Sequence, residues 1–208
     1  AVGVPGDVAG PTAATPGCGR SGASGETFAP SEYVDCSAPS PVIRAMTALT
    51  FTLPGHAARY DGDVTMSYTE PSATLATTRL VVRNKLVVQA TTANYSDTFT
   101  LRAGHTIDST YDAAALPPGG NQPGLSTTTA SGTVASASAG GYVAVTTLAP
   151  MLQYDVDAFP RSGHLDVVGK NGSLQLIVQP AGQVRIDLDA NGDGAIDETK
   201  TVDFASVD

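Results

Sequence analysis

Tryptophan is absent from this sequence of 208 residues, and charged residues make up only 15% of it. No apolar run reaches the roughly 18–20 residues that a membrane-spanning helix needs, so we expect no membrane span. Acidic residues outnumber basic ones by 20 to 11, and lysine occurs only at Lys85, Lys170 and Lys200. A net charge of −9 with no basic cluster repels polyphosphate, which argues against nucleic-acid binding.

Cysteine is scarce as well, because Cys18 and Cys36 are the only two in the chain. Both lie in a segment rich in Gly, Ser and Pro that contains no histidine, so further metal ligands are lacking nearby. We predict a disulfide between them, with two unpaired buried thiols as the alternative. A disulfide implies an oxidising compartment, and the start at Ala1 resembles the end left by signal-peptide cleavage. We therefore expect a secreted or cell-surface protein, with the periplasm as a second option.

The chain is instead rich in Thr, Ser, Ala and Gly, with many Pro, and this composition suits half-buried strands joined by turns. Residues 1–40 lack any persistent period and are predicted to form an irregular N-terminal arm that contains the disulfide loop. Residues 41–208 are predicted to form one all-β domain, an antiparallel β-sandwich of jelly-roll-like topology, because about ten short alternating segments occur without a convincing helix.

Alternation of apolar and polar residues places the strands of this domain. Residues 79–91 are predicted to form a hairpin around Arg83, Asn84 and Lys85. A Ser/Thr/Ala/Gly tract at about 112–141 is predicted to be a long flexible loop. The Asn171-Gly172 pair predicts a hairpin turn. The other predicted strands are 42–53, 63–69, 97–103, 142–148, 152–159, 164–169, 173–179, 183–189 and about 196–204.

One stretch, residues 187–198, concentrates the oxygen ligands that Ca²⁺ prefers. In an EF-hand-like register, Asp189, Asn191 and Asp193 take loop positions 1, 3 and 5, and Gly194 supplies the sharp turn. The remaining predicted contributors are the carbonyl of Ala195, the carboxylate of Asp197, and either Asp187 or Glu198. Lys200 stands where an EF-hand has its bidentate Glu. A solvated turn without metal is the alternative, but it leaves five clustered acidic side chains unexplained.

Catalytic constellations have no comparable support. The three histidines, His56, His105 and His164, are scattered, and no Gly-x-Ser-x-Gly elbow occurs. Pairs of carboxylates such as Asp155 and Asp157 could equally belong to an exposed strand face or hold a cation. We therefore expect no enzymatic activity.

Residues Pro160-Arg161-Ser162-Gly163 and the pattern that follows, up to the Gly-Asp-Gly loop, resemble a group of uncharacterised secreted proteins of Gram-negative bacteria. This resemblance covers about the last 65 residues and implies export and a β-rich fold, but no activity.

The sequence is compatible with two functions. The first is a secreted, calcium-stabilised structural or surface protein that assembles into homo-oligomers or filaments through its N-terminal arm. The second is an extracellular module that binds carbohydrate or another ligand. The second predicts an aromatic platform, and the absence of tryptophan and the dispersed tyrosines count against it.

Overall fold

The structure, a computed structural model, describes residues 33–35, 42–53, 56–92, 96–137 and 140–204. Twelve β-strands form in this part of the chain, and all of their pairings are antiparallel. The strands are β1 (Tyr33–Asp35), β2 (Val42–Leu53), β3 (His56–Ser72), β4 (Leu75–Thr92), β5 (Ser96–Arg102), β6 (Thr106–Asp112), β7 (Leu125–Ser136), β8 (Gly141–Tyr154), β9 (Ser162–Val168), β10 (Ser173–Gln179), β11 (Gln183–Asp189) and β12 (Glu198–Asp203). The all-β, antiparallel, sandwich-like prediction is confirmed.

The strands are connected as a meander, in which each strand pairs with the next one in the sequence, except that β5 and β6 do not pair with each other. The described strands make none of the crossings between sheets that define a jelly roll, because short turns join nearly every pair. One position of the sheet holds two strands, since β5 and β6 both lie between β4 and β7 and run end to end. The meander therefore has eleven positions, with β1 and β12 at its two ends.

A row of irregularities crosses the long strands near their middle. β5 and β6 are separated by a tight turn in which the N–H of Gly104 donates to the carbonyl of Val82 at 2.8 Å. Opposite this turn, residues 83–85 of β4 form a bulge against β3. The predicted hairpin over residues 79–91 is therefore wrong: a bulge bends one continuous strand at Arg83 to Lys85 without reversing it.

A second bulge lies in β8, where Thr147 to Pro150 oppose only two residues of β7. The Thr147 hydroxyl replaces the interrupted backbone pairing, because it donates to the Ala130 carbonyl at 3.0 Å and accepts from the Ala130 N–H at 2.8 Å. The predicted break between strands 142–148 and 152–159 is this bulge, and β8 continues through it to Tyr154.

The tract predicted to be a flexible loop at about 112–141 is wrong over most of its length, because residues 125–136 form β7. Thr127 to Thr129 favour the pleated backbone, and the pairing of β7 with β6 and β8 supplies what the weak apolar pattern lacked. The irregular connection between β6 and β7 is limited to residues 113–124.

The strands of the last third follow the sequence pattern closely. β9 and β10 form the predicted hairpin across the Asn171-Gly172 turn, and β10 and β11 have the predicted bounds. β12 is shorter than predicted and begins at Glu198.

The densest packing lies beside the row of bulges, where Val64, Val82, Leu86 and Leu101 form a buried cluster. Leu86 is 2% exposed and Val64 is fully buried. Partly buried apolar side chains surround this cluster, among them Tyr60, Met66, Leu80, Val88, Phe99, Ile107 and Val134. Burial of one such aliphatic side chain stabilises the fold by roughly 1.5–3 kcal/mol.

His105 closes the turn between β5 and β6 and is only 3% exposed. It hydrogen-bonds the backbone of Thr133, while its Nδ1 has no partner. Burial lowers the pKa of His105 below its ordinary value, although the hydrogen bond to Thr133 opposes this shift. The imidazole is therefore neutral in the folded protein near neutral pH.

Acid is expected to destabilise the protein through His105. The unfolded chain binds a proton below about pH 6.5, while the folded chain resists binding it, so stability is present above that pH and falls as the pH drops. The difference in unfolding free energy between wild type and His105→Gln, measured by urea titration, should therefore shrink between about pH 7 and 5. A constant difference across that range would show that His105 titrates alike in both states.

The N-terminal arm is described only where β1 pairs with the 42–45 end of β2. Cys18 and Cys36, the predicted disulfide pair, lie outside the described residues. The described residues form no helix that is both long and apolar enough to cross a membrane.

Candidate metal centre

Two paired strands, β11 and β12, hold the ends of the acidic loop at residues 189–197, which begins at the last residue of β11. Val184, Ile186 and Leu188 of β11 alternate with Arg185, Asp187 and Asp189, so the acidic side chains share one face of the strand. β12 returns antiparallel, with Glu198 opposite Leu188 and Thr199 opposite Asp187. The N–H of Asp197 donates to the Leu188 carbonyl at 2.8 Å and closes the base of the loop.

Asp189 lies at the centre of this loop and is only 4% exposed. Its Oδ1 accepts the N–H of Gly192 at 2.6 Å, and its Oδ2 accepts the N–H of Gly194 at 2.9 Å. These backbone donors, Gly194 first, hold the pKa of the Asp189 carboxyl below its usual range despite burial. The loop is therefore built around an ionised carboxylate.

Three more side chains turn the backbone around Asp189. Asn191 Oδ1 accepts the N–H of Asp193, and Asp193 Oδ1 accepts the N–H of Ala195, each at 2.8 Å. Asp197 Oδ2 reaches back to the N–H of Ala190, also at 2.8 Å.

Two glycines in the loop have positive φ angles, 77° at Gly192 and 86° at Gly194. Other residues rarely adopt these angles, so the glycines allow the chain to curl tightly. The side chains of Asn191 and Asp193 thus each accept a backbone N–H two residues further on, and the chain turns around Asp189.

Asp187 and Glu198, the two candidates for an additional ligand, are placed differently. The Asp187 carboxylate binds Arg185 at 2.9 Å and accepts the Thr199 hydroxyl at 2.9 Å. Glu198 pairs with Leu188, so its side chain lies on the face opposite Asp189. The structure therefore groups Asp189, Asn191, Asp193, Ala195 and Asp197 in the loop and gives the other two separate surroundings.

The described residues contain no group of three His, Cys, Asp or Glu side chains already gathered as metal ligands. In the loop, the carboxylates accept backbone N–H groups, and each oxygen keeps a further lone pair that points away from its donor. Binding a cation would require Asp193 and Asp197 to turn toward Asp189.

The turn between β9 and β10 packs against the acidic loop, which the sequence did not indicate. A Cβ on Gly172 would collide with the carbonyl oxygen of Asp189, and one on Gly192 would lie 3.3 Å from the carbonyl of Asn171. The two turns therefore meet backbone to backbone. Gly172 and Gly192 are the only local sign of this contact in the sequence. Glycine is common in turns, however, so its presence there does not by itself predict a contact between the two turns.

The other acidic pair, Asp155 and Asp157, belongs to the corner between β8 and β9. Asp155 Oδ2 accepts the Tyr111 hydroxyl at 2.7 Å. Arg161 donates to both oxygens of Asp157, at 2.7 and 2.8 Å, and this pairing chiefly lowers the pKa of Asp157. Arg161 also lies 4.9 Å from the centre of the Tyr154 ring. Asp157 thus holds an arginine, which leaves it unsuited to bind a cation.

Comparison with protein-family models, with curated proteins and with solved structures found no match. The resemblance to secreted proteins of Gram-negative bacteria therefore stays a prediction. Fold and loop together define the class to which the chain belongs: an antiparallel all-β protein with an acidic, glycine-turned loop between its last two strands.

Proposed function

We propose that this chain is a secreted structural or surface protein whose loop at residues 189–197 binds Ca²⁺. The observation that carries the proposal is the closure of this loop around Asp189, which is buried, ionised and held by the N–H groups of Gly192 and Gly194. A turn without metal requires no such concentration of carboxylates, whose mutual repulsion is a cost that a divalent cation removes.

The loop offers five protein groups with hard oxygen atoms: the side chains of Asp189, Asn191, Asp193 and Asp197, and the carbonyl of Ala195. Calcium takes six to eight oxygens in flexible geometry, so water would complete its shell. Lys200 pairs with Ile186 on the opposite face of the strand, and no bidentate Glu follows the loop. We therefore expect affinity in the weak range of extracellular calcium modules rather than that of intracellular sensors.

The structural role follows from where the loop lies. It fixes the start of β12, the last strand of the meander, and contacts the turn between β9 and β10. A cation here would tie together four strands, which suits a protein whose task is to hold its shape outside the cell.

Calcium is expected to raise the melting temperature of the wild-type protein, and Asp189→Asn should abolish most of that increase. At a Ca²⁺ concentration 100 times the Kd, a single site stabilises the fold by about 2.7 kcal/mol. Thermal unfolding in millimolar Ca²⁺ and in chelator measures the shift, and isothermal titration measures the affinity.

Asp166→Asn is the matched control for this experiment, because it makes the same chemical change on β9, outside the loop. It should retain the calcium-induced shift. A wild-type protein that shows neither heat nor a thermal shift in millimolar Ca²⁺ would contradict the ion assignment.

A further inference from the structure

Among the described strands, the meander ends at β12 on one side and at β1 and β2 on the other, and we propose that the edge of β12 pairs with the part of the β2 edge that no described strand covers, in a second copy of this chain, head to tail. The proposal deepens the structural role proposed above and rests on it, but it does not require the calcium site. It replaces the N-terminal arm, as the assembling element, with the two edges of the sheet.

The first edge is β12, whose hydrogen-bonding pattern can be read from one bond. The N–H of Phe204 donates to the carbonyl of Gly182 at 2.9 Å, just beyond the pair of Gln183 with Asp203. In an antiparallel ladder this places the backbone groups of residues 198, 200 and 202 toward β11. The N–H and C=O groups of Thr199 and Thr201 consequently point away from the sheet, where no strand among the described residues lies.

The second edge is β2. β1 pairs only with its 42–45 end, which leaves residues 46–53, eight of its twelve, paired on one side only among the described strands. These residues read Met-Thr-Ala-Leu-Thr-Phe-Thr-Leu, with no charge and no proline. Such a run has high β propensity and carries neither the charges nor the proline by which many proteins block an edge, and its one bulge, between Met46 and Leu49, leaves residues 49–53 in regular pairing.

Direction and length of the strands fit this pairing. Strands alternate in direction along the eleven positions of the meander, so β12 at the last position runs in the same direction as β1 at the first. A neighbouring copy in the same orientation would thus present β12 antiparallel to β2. Its six residues fit beside β1 in the eight-residue gap, as β5 and β6 share one position within the chain.

A symmetric pairing of two β12 strands would join two identical edges and stop at a dimer, which distinguishes it from the head-to-tail contact. A contact between two different edges does not close on itself, so copies would add in an open series.

Sedimentation velocity on the full chain, over rising protein concentration with Ca²⁺ present, tests the proposal. Wild type should associate beyond a dimer. Thr201→Pro removes the outward N–H and projects the proline ring from the edge, leaving the ladder to β11 intact, so association should require at least about tenfold more protein. Thr201→Val keeps the N–H and should associate like wild type. Circular dichroism confirms folding, and Thr199→Pro replaces Thr201→Pro if the latter unfolds.

Each other outcome overturns the proposal. A monomeric wild type, association that stops at a dimer, or a folded proline variant that associates like wild type would each do so. Loss of association on deleting residues 1–32 would identify the arm as the assembling element. The calcium-induced thermal shift, measured on the same samples, reports separately on the calcium site, so its failure is distinguishable from failure of the edge contact.

Discussion

Replacement of Gly132 by alanine should destabilise the protein by about 3–5 kcal/mol, the largest effect expected from a single added methyl group. Gly132 in β7 has a φ of 141°, a region that residues with a side chain rarely adopt. A Cβ there would lie 2.5 Å from the Cα and 2.7 Å from the Nδ1 of His105. The first of these atoms is backbone, so the clash cannot be relieved by turning a side chain.

Gly104→Ala provides the matched control. Gly104 also has a positive φ, 84°, but an added Cβ would meet nothing within 4 Å. Its replacement should destabilise the fold only by the cost of holding a residue with a side chain in a left-handed backbone conformation, about 1–2 kcal/mol. Urea unfolding followed by circular dichroism measures both variants, and equal losses would show that the contact with His105 is unimportant.

Leu86→Ala is expected to cost about 2–5 kcal/mol, because it empties the centre of the best-packed part of the sheet. Leu86 is 2% exposed and packs with Val64, Val82 and Leu101. Neighbouring strands hydrogen-bonded on both sides of β4 cannot move inward to fill the space. The cost should therefore lie above that of burial alone.

Leu148→Ala makes the same chemical change at a side chain that is 54% exposed, and it should change stability by no more than about 0.5 kcal/mol. Thermal and urea unfolding of both variants give the comparison. Similar losses at the two positions would mean that the cluster around Leu86 is not the core of the folded protein.

The bounds of β10 and β11 could be predicted from the sequence because two local signals agree there. Apolar and polar residues alternate strictly, and Asn171-Gly172 and Pro180-Ala181-Gly182 fix where the chain turns. When the turn chemistry and the alternation point to the same register, little is left for distant residues to decide.

β4 and β7 could not be predicted in the same way, since their courses depend on partners distant in the sequence. Arg83-Asn84-Lys85 has the composition of a turn, but the pairing of the flanking residues with β3 and β5 carries the chain straight through a bulge. Ser and Thr residues dominate β7, so its apolar signal is weak, and only its pairing with β5, β6 and β8 makes it a strand.

In the acidic loop, too, some features could be predicted from the sequence and others could not. Asp189, Asn191, Asp193 and Asp197 occupy turn positions that follow from spacing alone. The surroundings of Asp187 could not be foreseen, because Thr199 lies on the other strand of the hairpin. The contact of Gly172 with Asp189 depends on the neighbouring hairpin and likewise has no local signal.

The meander connectivity carries a consequence for how the protein acquires its structure. Most native pairings join segments adjacent in the sequence, so contact order is low for an all-β protein and few long loops must close before the sheet is stabilised. Each completed hairpin offers a template on which the next segment can assemble. Pulse-labelling hydrogen exchange should therefore show protection spreading outward from β3 and β4, with β12 among the last strands to be protected.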